Sequence, residues 1–326
     1  MTRPLPVGVI GVGMLGWHHA RHLMSMPEAD LVGVYDIRPA RAQQVAQALG
    51  TRACSTREEL LDRAAAVTIA VPTPVHAEVG LAALEAGRPV LMEKPLAATL
   101  EQADALVDTA ARRSLLLQVG HIERFNRAIR AAEPYLDRPS FIEGERLAPY
   151  QPRGTDVPVV LDLMVHDLDL ILHLAGGAAA VDVRANGAAV LSGLLDVVHA
   201  RVEFANGLVA SVTASRIARE RIRRLRVYQE EGYLSLDLAT GRGEFLRLRN
   251  RWAPGEVREL EDVAERIPLE APPADALRLE LASFIRSVRG DHDAVVAGHE
   301  GRAAVALALQ VADAVHLASL PSPPEL

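Results

Sequence analysis

The sequence predicts an α/β chain: an N-terminal Rossmann-type, doubly wound parallel sheet, followed by an α+β domain with a large open, mainly antiparallel sheet. Three observations carry this prediction. Short apolar runs alternate with helical segments over residues 1–119, a glycine-rich turn directly follows the first run, and strict two-residue alternation begins at Val198. With 326 residues the chain suits two domains, 1–119 and 120–326.

The first run is Val7–Ile10, and a helix follows its glycine turn to about Met24. Leu31–Tyr35 is the second strand, closed by Asp36. Pro39 opens a helix that Gly50 ends, the usual placement of the two helix breakers. Thr56 with Glu59, and Thr99 with Gln102, have capping-box spacing. Val67–Val71, Pro89–Met92 and Leu115–Val119 supply three more buried strands, and His76–Ala86 is a helix stopped by Gly87. Strands separated by helices need right-handed crossovers, which make the sheet parallel.

Beyond a helix over Val159–Leu174 the period changes. Val198, Ala200, Val202 and Phe204 alternate with polar residues, as do Leu208, Ala210, Val212 and Ala214, around Asn206-Gly207. That dipeptide predicts a hairpin with a type I′ turn. Leu225–Leu238 repeats the pattern around Glu231-Gly232, and amphipathic helices over Ala276–Val288 and Glu300–Ala318 finish the chain. An open sheet of this kind leaves a broad outer face suited to a homodimer or homotetramer.

Composition narrows the function. A net charge of −7 argues against nucleic acid or anionic lipid as the main partner. The basic run Arg216, Arg219, Arg221, Arg223, Arg224 and Arg226 is either a solvated face or an anion site. Cys54 is the single cysteine, which excludes an intrachain disulfide and a thiolate metal cluster. Apolar stretches all fall short of the ~18 residues of a membrane span. With no leader pattern at its start, the chain is expected to be cytoplasmic.

Gly11-Val12-Gly13-Met14-Leu15-Gly16 fits G-x-G-x-x-G in the required place, after a strand and at the start of a helix. The first glycine permits the turn, the second lets backbone approach a pyrophosphate, and the third brings helix and strand together. Helix N-terminal amides then meet phosphate charge. Asp36 is placed to accept hydrogen bonds from an adenosine ribose and to repel a 2′-phosphate, favouring NAD over NADP, while Arg38 works against that preference.

Of 35 basic residues 34 are arginine, so Lys94 in Met92-Glu93-Lys94-Pro95 invites a reason. It follows the Pro89–Met92 strand, at the end of the sheet where ligands bind. Pro95 restricts it to extended backbone, and a desolvated lysine, unlike arginine, can give up its proton. Asp162 and His166 lie four apart on the expected helix, with Asp169 and His173 near the same stripe. Three readings fit that spacing: solvated carboxylates on a helix, a metal site, or a carboxylate orienting an imidazole acid–base. Lys94 and the dinucleotide site favour the third, without a metal.

In order along the chain these motifs resemble the Gfo/Idh/MocA oxidoreductases. Gly11–Gly16 with His19-Ala20-Arg21, Pro72-Thr73-Pro74-Val75-His76, Glu93-Lys94-Pro95, Gly120–Asn126 and the Asp162-to-His166 spacing carry the resemblance across nearly the whole chain. It implies that Lys94, Asp162 and His166 act on a substrate hydroxyl. It implies as well that Arg124 and Asn126 border the substrate, that Pro72 and Thr73 lie on the nicotinamide side, and that His76 and Glu93 belong with the cofactor set. His19 is expected to be structural. Leu163-Met164 departs from members with glycine there. The His121–Asn126 and Asp162–Asp169 segments look most like a bacterial branch related to UDP-N-acetylglucosamine 3-dehydrogenases. The expectation is an enzyme moving a hydride between NAD(P) and a sugar or nucleotide-sugar hydroxyl carbon, with either Lys94 or His166 as the formal base. Its rivals are an inositol or free-sugar dehydrogenase and a non-catalytic NAD-sensing regulator.

Overall fold

A computed structural model describes residues 3–151, 157–249, 259–292 and 294–317. The chain divides into two units, Met1–Phe125 with Ala274–Val305, and Asn126–Pro273 with Ala306–Leu326.

In the first unit β1 (Leu5–Ile10), α1 (Met14–Ser25), β2 (Ala29–Tyr35), α2 (Pro39–Leu49), α3 (Arg57–Arg63), β3 (Ala66–Ile69), α4 (His76–Glu85), β4 (Val90–Glu93), α5 (Leu100–Arg112) and β5 (Leu117–Gly120) follow one another. All five strands are parallel, in the order β2-β1-β3-β4-β5. Every residue of β3, β4 and β5 is buried, as expected for strands covered on both faces. The chain reverses direction across the sheet between β1 and β3, so their carboxyl ends flank the switch point where such sheets bind ligands. Local signals act as written in the sequence. Pro39 starts α2, Gly50 ends it at φ +70°, and the Thr56 and Thr99 hydroxyls accept from the amides of Glu59 and Gln102.

The second unit holds α6 (Arg127–Ala132), β6 (Phe141–Leu147), a π-helical turn (Val160–Met164), α7 (Val165–Leu174), β7 (Ala180–Ala188), β8 (Val197–Phe204), β9 (Val209–Ser215), β10 (Ile222–Gln229), β11 (Gly232–Asp237), β12 (Arg242–Leu248), α8 (Leu260–Val263) and β13 (Ala264–Leu269). With β14 (Val315–Leu317) they form a nine-stranded sheet, β13-β12-β11-β10-β6-β9-β8-β7-β14. It is antiparallel except at β6–β9 and β7–β14. Val198, Ala200, Val202, Ala210, Val212, Ala214, Leu225 and Val227 are fully buried, so the alternation does mark one packed face.

The hairpin after β8 forms, but its turn differs from the type I′ expectation. Among the described residues the non-glycine positions with positive φ are Ser114 and Arg138, so Asn206 lacks the left-handed backbone that type I′ requires. The Gly207 amide donates to Phe204 O at 2.9 Å, Gly207 sits at φ +88°, and Phe204 N donates to Leu208 O at 2.8 Å. This is a longer loop with glycine at its bulge position.

Two further differences concern the last third of the chain. The expected 120–326 domain gives up Ala274–Val305 to the first unit. On α9 (Ala276–Val288), Leu277, Leu281, Phe284 and Ile285 join the core of Val7, Val9, Leu23 and Leu91. Each such side chain stabilises by about 1.5–3 kcal/mol when fully buried. Val119 N then donates to Val296 O at 3.0 Å, and Gly301 presses so closely on β5 that a Cβ there would lie 2.4 Å from Val119 Cγ2. The expected Glu300–Ala318 helix is α10 (Gly298–Asp313), with β14 following it and Ala318 outside the described residues.

Candidate active site

The glycine turn fits a dinucleotide. Gly11 has φ +82°, and a Cβ there would meet Ala70 O at 2.7 Å. A Cβ on Gly16 would lie 1.8 Å from Gly11 O, so helix α1 can approach its strand only without one. A Cβ on Gly13 would meet nothing within 4 Å, leaving that side open to a ligand. Gly13 starts α1 without a side-chain cap and the first turn holds no acidic residue, an electrostatic setting that suits phosphate at a helix start. Met14 and Leu15 carry exposed side chains beside them.

Asp36 is buried and braces the turn. Its Oδ2 accepts from Val12 N at 3.0 Å and its Oδ1 from Arg38 N at 3.0 Å, with Arg38 Nε at 3.3 Å. Sequence reasoning missed Arg41, which donates to Val12 O at 2.7 Å and Gly13 O at 3.1 Å. An arginine inside α2 gives no signal of that reach.

At the end of β4, Glu93 is buried, with Oε1 2.9 Å from His19 Nε2 and Oε2 accepting from Lys94 N at 3.3 Å. Lys94 is half-buried, and its bond to Pro95 is cis. His76 is buried, and its ring nitrogens lie 2.8 Å from Pro95 O and 2.9 Å from Val71 O, tying the Lys94-Pro95 turn to the segment after β3. Burial pushes the His76 pKa down, which favours the neutral ring. His76 and Glu93 therefore brace the turn from beneath. Pro72 is exposed and Thr73 half-buried, directly after β3.

The Asp162 segment is wound differently from the single α-helix expected over Val159–Leu174. Val160–Met164 is one π-helical turn before α7. Such turns recur at functional sites because they re-aim side chains. This element packs directly over β6, where a Cβ on Gly144 would lie in ordinary van der Waals contact with Asp167 Cβ, at 3.7 Å. Asp162 and His166, both half-buried, line one cavity of about 320 Å³ with Leu163, Gln151, Arg146, Arg216, Arg221 and Arg223 among its walls.

Two buried ion pairs hold this cavity, and neither partner's distance was legible in the sequence. Arg146 makes a bidentate pair with Asp167, 2.7 Å from Nε to Oδ2 and 2.9 Å from Nη2 to Oδ1. Arg216 donates from Nε to Asp196 Oδ1 at 2.9 Å, and from its other nitrogens to Val157 O, Leu195 O and Ser192 Oγ. Burial alone would raise the Asp196 carboxyl. The Val190, Leu191 and Ser192 amides and the Ser192 hydroxyl instead hold it well below the ordinary carboxylate range.

Other expected residues fall elsewhere. Asn126 caps α6, accepting from Ala128 N at 2.9 Å while its Nδ2 donates to Leu238 O at 2.8 Å. Arg124 is buried, with Nη2 3.4 Å from Glu300 Oε1. Neither is among the walls of the cavity that Asp162 and His166 line. Asp169 is buried whereas His173 is exposed, so the stripe seen in the sequence does not converge. Among the described residues no group of three or more His, Cys, Asp or Glu is placed to hold a metal ion. No helix among them is long and apolar enough to cross a membrane.

A glycine turn of this form at a switch point, with a lysine at the end of a nearby strand, defines an NAD-binding oxidoreductase of the Rossmann class. Residues 5–121 match the oxidoreductase family with an NAD-binding Rossmann fold, GFO/IDH/MocA, and residues 137–235 match the GFO/IDH/MocA C-terminal domain. The chain belongs to that family. It is 39% identical over 315 residues to the UDP-N-acetylglucosamine 3-dehydrogenase of Acidithiobacillus ferrooxidans, covering 94% of this chain and 96% of that one. The solved structure of that enzyme superposes with a TM-score of 0.89 at 37% identity, covering 97% and 98% of the two chains. The scyllo-inositol 2-dehydrogenase (NAD(+)) of Bacillus subtilis is 30% identical over 235 residues, covering 66% of this chain and 68% of that one.

Proposed function

We propose that this enzyme oxidises C3 of UDP-N-acetylglucosamine with NAD as the electron acceptor. The observation that carries the reading is the cavity in which Asp162 and His166 stand among arginines. The likeness to the Acidithiobacillus enzyme over nearly the whole chain supports it. NAD, when bound, supplies the hydride acceptor. Gly11, Gly13, Gly16, Met14 and Leu15 bind its pyrophosphate side, and Asp36 with Arg38 its ribose. Asp36 favours NAD over NADP because a carboxylate repels a 2′-phosphate.

His166 takes the hydroxyl proton and Asp162 orients that exchange, while the Lys94 ammonium stabilises the developing alkoxide. Preorganised charge of this kind is worth about a hundredfold or more in turnover. Homodimers or homotetramers form through the open face of the nine-stranded sheet, where Phe141, Tyr228 and Tyr233 make an aromatic cluster with centroids 5.3–5.7 Å apart. The test follows NADH formation with UDP-N-acetylglucosamine, free N-acetylglucosamine and myo-inositol, for wild type and Lys94→Ala. The nucleotide sugar should react, and the variant should lose at least about a hundredfold in kcat. Reduction with inositol but no nucleotide sugar overturns the substrate, and near-normal kcat in Lys94→Ala overturns the role of Lys94.

A further inference from the structure

The glycine turn has little of its own to fix its peptide planes, since a glycine stands on either side of Val12. They are held from the end of β2 and from α2. Val12 N donates to Asp36 Oδ2 at 3.0 Å, while Val12 O accepts from Arg41 Nε at 2.7 Å and Gly13 O from Arg41 Nη2 at 3.1 Å. Gly13 O also takes the first helical bond of α1, from Trp17 N at 3.3 Å. Arg41 Nη1 donates to Gln44 Oε1 at 2.9 Å, so α2 itself steadies the far edge of the guanidinium.

Peptide planarity turns these contacts into an aim. Among the described residues the cis bond is Lys94-Pro95, so the peptides that follow Val12 and Gly13 are trans. In a trans peptide C=O and N–H point to opposite sides. With both carbonyls drawn towards Arg41, the N–H groups of Gly13 and Met14 face away from it. They stand at the start of α1, where helix amides meet phosphate charge. All three nitrogens of Arg41 donate to protein oxygens, so this residue acts through the turn. Its charge works in the same sense, because a cation beside the positive end of a helix is unfavourable by itself and favourable next to an anion.

We propose that Arg41 is a positioning residue for NAD: its planar guanidinium holds Val12 O and Gly13 O together and so presets the turn amides for the pyrophosphate. This rests on the NAD site proposed above and adds to it a residue from the second helix. Binding gains when the receiving groups are already in place, because less ordering remains to be done. A lysine would carry the same charge without the two-pronged plane that bridges neighbouring carbonyls.

The test compares wild type, Arg41→Met and Arg41→Lys. Calorimetric titration with NAD, without any sugar, should show affinity lower by about tenfold or more in Arg41→Met and by about threefold or more in Arg41→Lys. Hydrogen exchange without NAD should show faster exchange over Val12–Leu15 in both variants, with β3 and β4 as protected as in wild type. In UDP-N-acetylglucosamine oxidation the KM for NAD should rise about tenfold or more in Arg41→Met while kcat stays within about threefold, the mark of lost ground-state binding. Unchanged NAD affinity in Arg41→Met overturns the proposal. Full affinity in Arg41→Lys also overturns it, since charge alone would then suffice. Protection lost throughout β3 and β4 points to a damaged fold and does the same. A wild type that binds NAD but leaves the nucleotide sugar unoxidised removes the substrate reading, and the binding and exchange arms still decide the role of Arg41. If circular dichroism shows Arg41→Met unfolded, Arg41→Lys carries the comparison.

Discussion

Replacing Glu280 of α9 by methionine should stabilise the protein, and increasingly so as the pH rises. Glu280 is fully buried, and among the described residues neither of its carboxyl oxygens has a hydrogen-bond partner. Burial drives its carboxyl well above the ordinary range, and the negative charge of Glu93 pushes the same way. The folded protein therefore keeps a proton at pH values where the unfolded chain, whose glutamates titrate near about 4.3, has released it. With more protons bound in the folded state, stability falls as pH rises between the two pKa values, by about 1.4 kcal/mol per pH unit. For a unit of this size that is about 3–6 °C in Tm per pH unit. Methionine also removes a buried unsatisfied carboxyl, worth about 1–3 kcal/mol. Thermal unfolding of wild type and Glu280→Met, followed by circular dichroism from pH 5 to pH 8, reads both effects. The gap in Tm should favour the variant and widen with pH. A gap that stays constant across that range, or a variant less stable at pH 8, refutes the reasoning.

Other consequences are as direct. Gly13→Ala should leave stability within about 1 kcal/mol, because its Cβ meets no protein atom within 4 Å. It should nonetheless weaken NAD binding about tenfold or more in a fluorescence titration. Gly16→Ala should do the reverse in kind, lowering stability by about 1–3 kcal/mol in urea as α1 is forced from Gly11 O. Arg216→Met should cost about 3 kcal/mol or more in the same assay, since it leaves Asp196 charged, buried and without its guanidinium. The depressed Asp196 pKa contributes stability above about pH 3.9 that is lost as pH falls, so the wild type's margin over Arg216→Met should shrink in acid.

What the sequence disclosed follows from how local each signal is. The parallel sheet was legible because strands buried on both faces are continuous apolar runs, as in β3 and β4. The glycine turn was legible because its spacing is itself the geometry. Asn206-Gly207 announced a hairpin, yet the turn type depended on the φ of Asn206, which the hairpin register decides. The basic run could not be divided until β10 was known to pair Arg224 with Glu145 and to turn Arg223 inward. Asp167 and Asp196 gave no sign of their partners, because Arg146 and Arg216 reach them across 21 and 20 residues of chain. The amphipathic stripe of α9 showed that one face is buried but carried no information about the surface that covers it.

That surface has a consequence for biosynthesis. β5 acquires its Val296 contact, and the core around Val7 and Leu23 acquires Leu281 and Phe284, from a segment translated long after the strands themselves. At about 5–20 residues per second the nascent sheet waits roughly ten to thirty seconds for its last apolar cover. A polypeptide released early, anywhere between Phe125 and Ala274, carries the whole nucleotide fingerprint but leaves that core open to solvent. Every such fragment lacks α9 and so leaves uncovered the Val, Leu and Met side chains of that core, the kind of apolar surface that makes incomplete chains prone to aggregate and that chaperones engage.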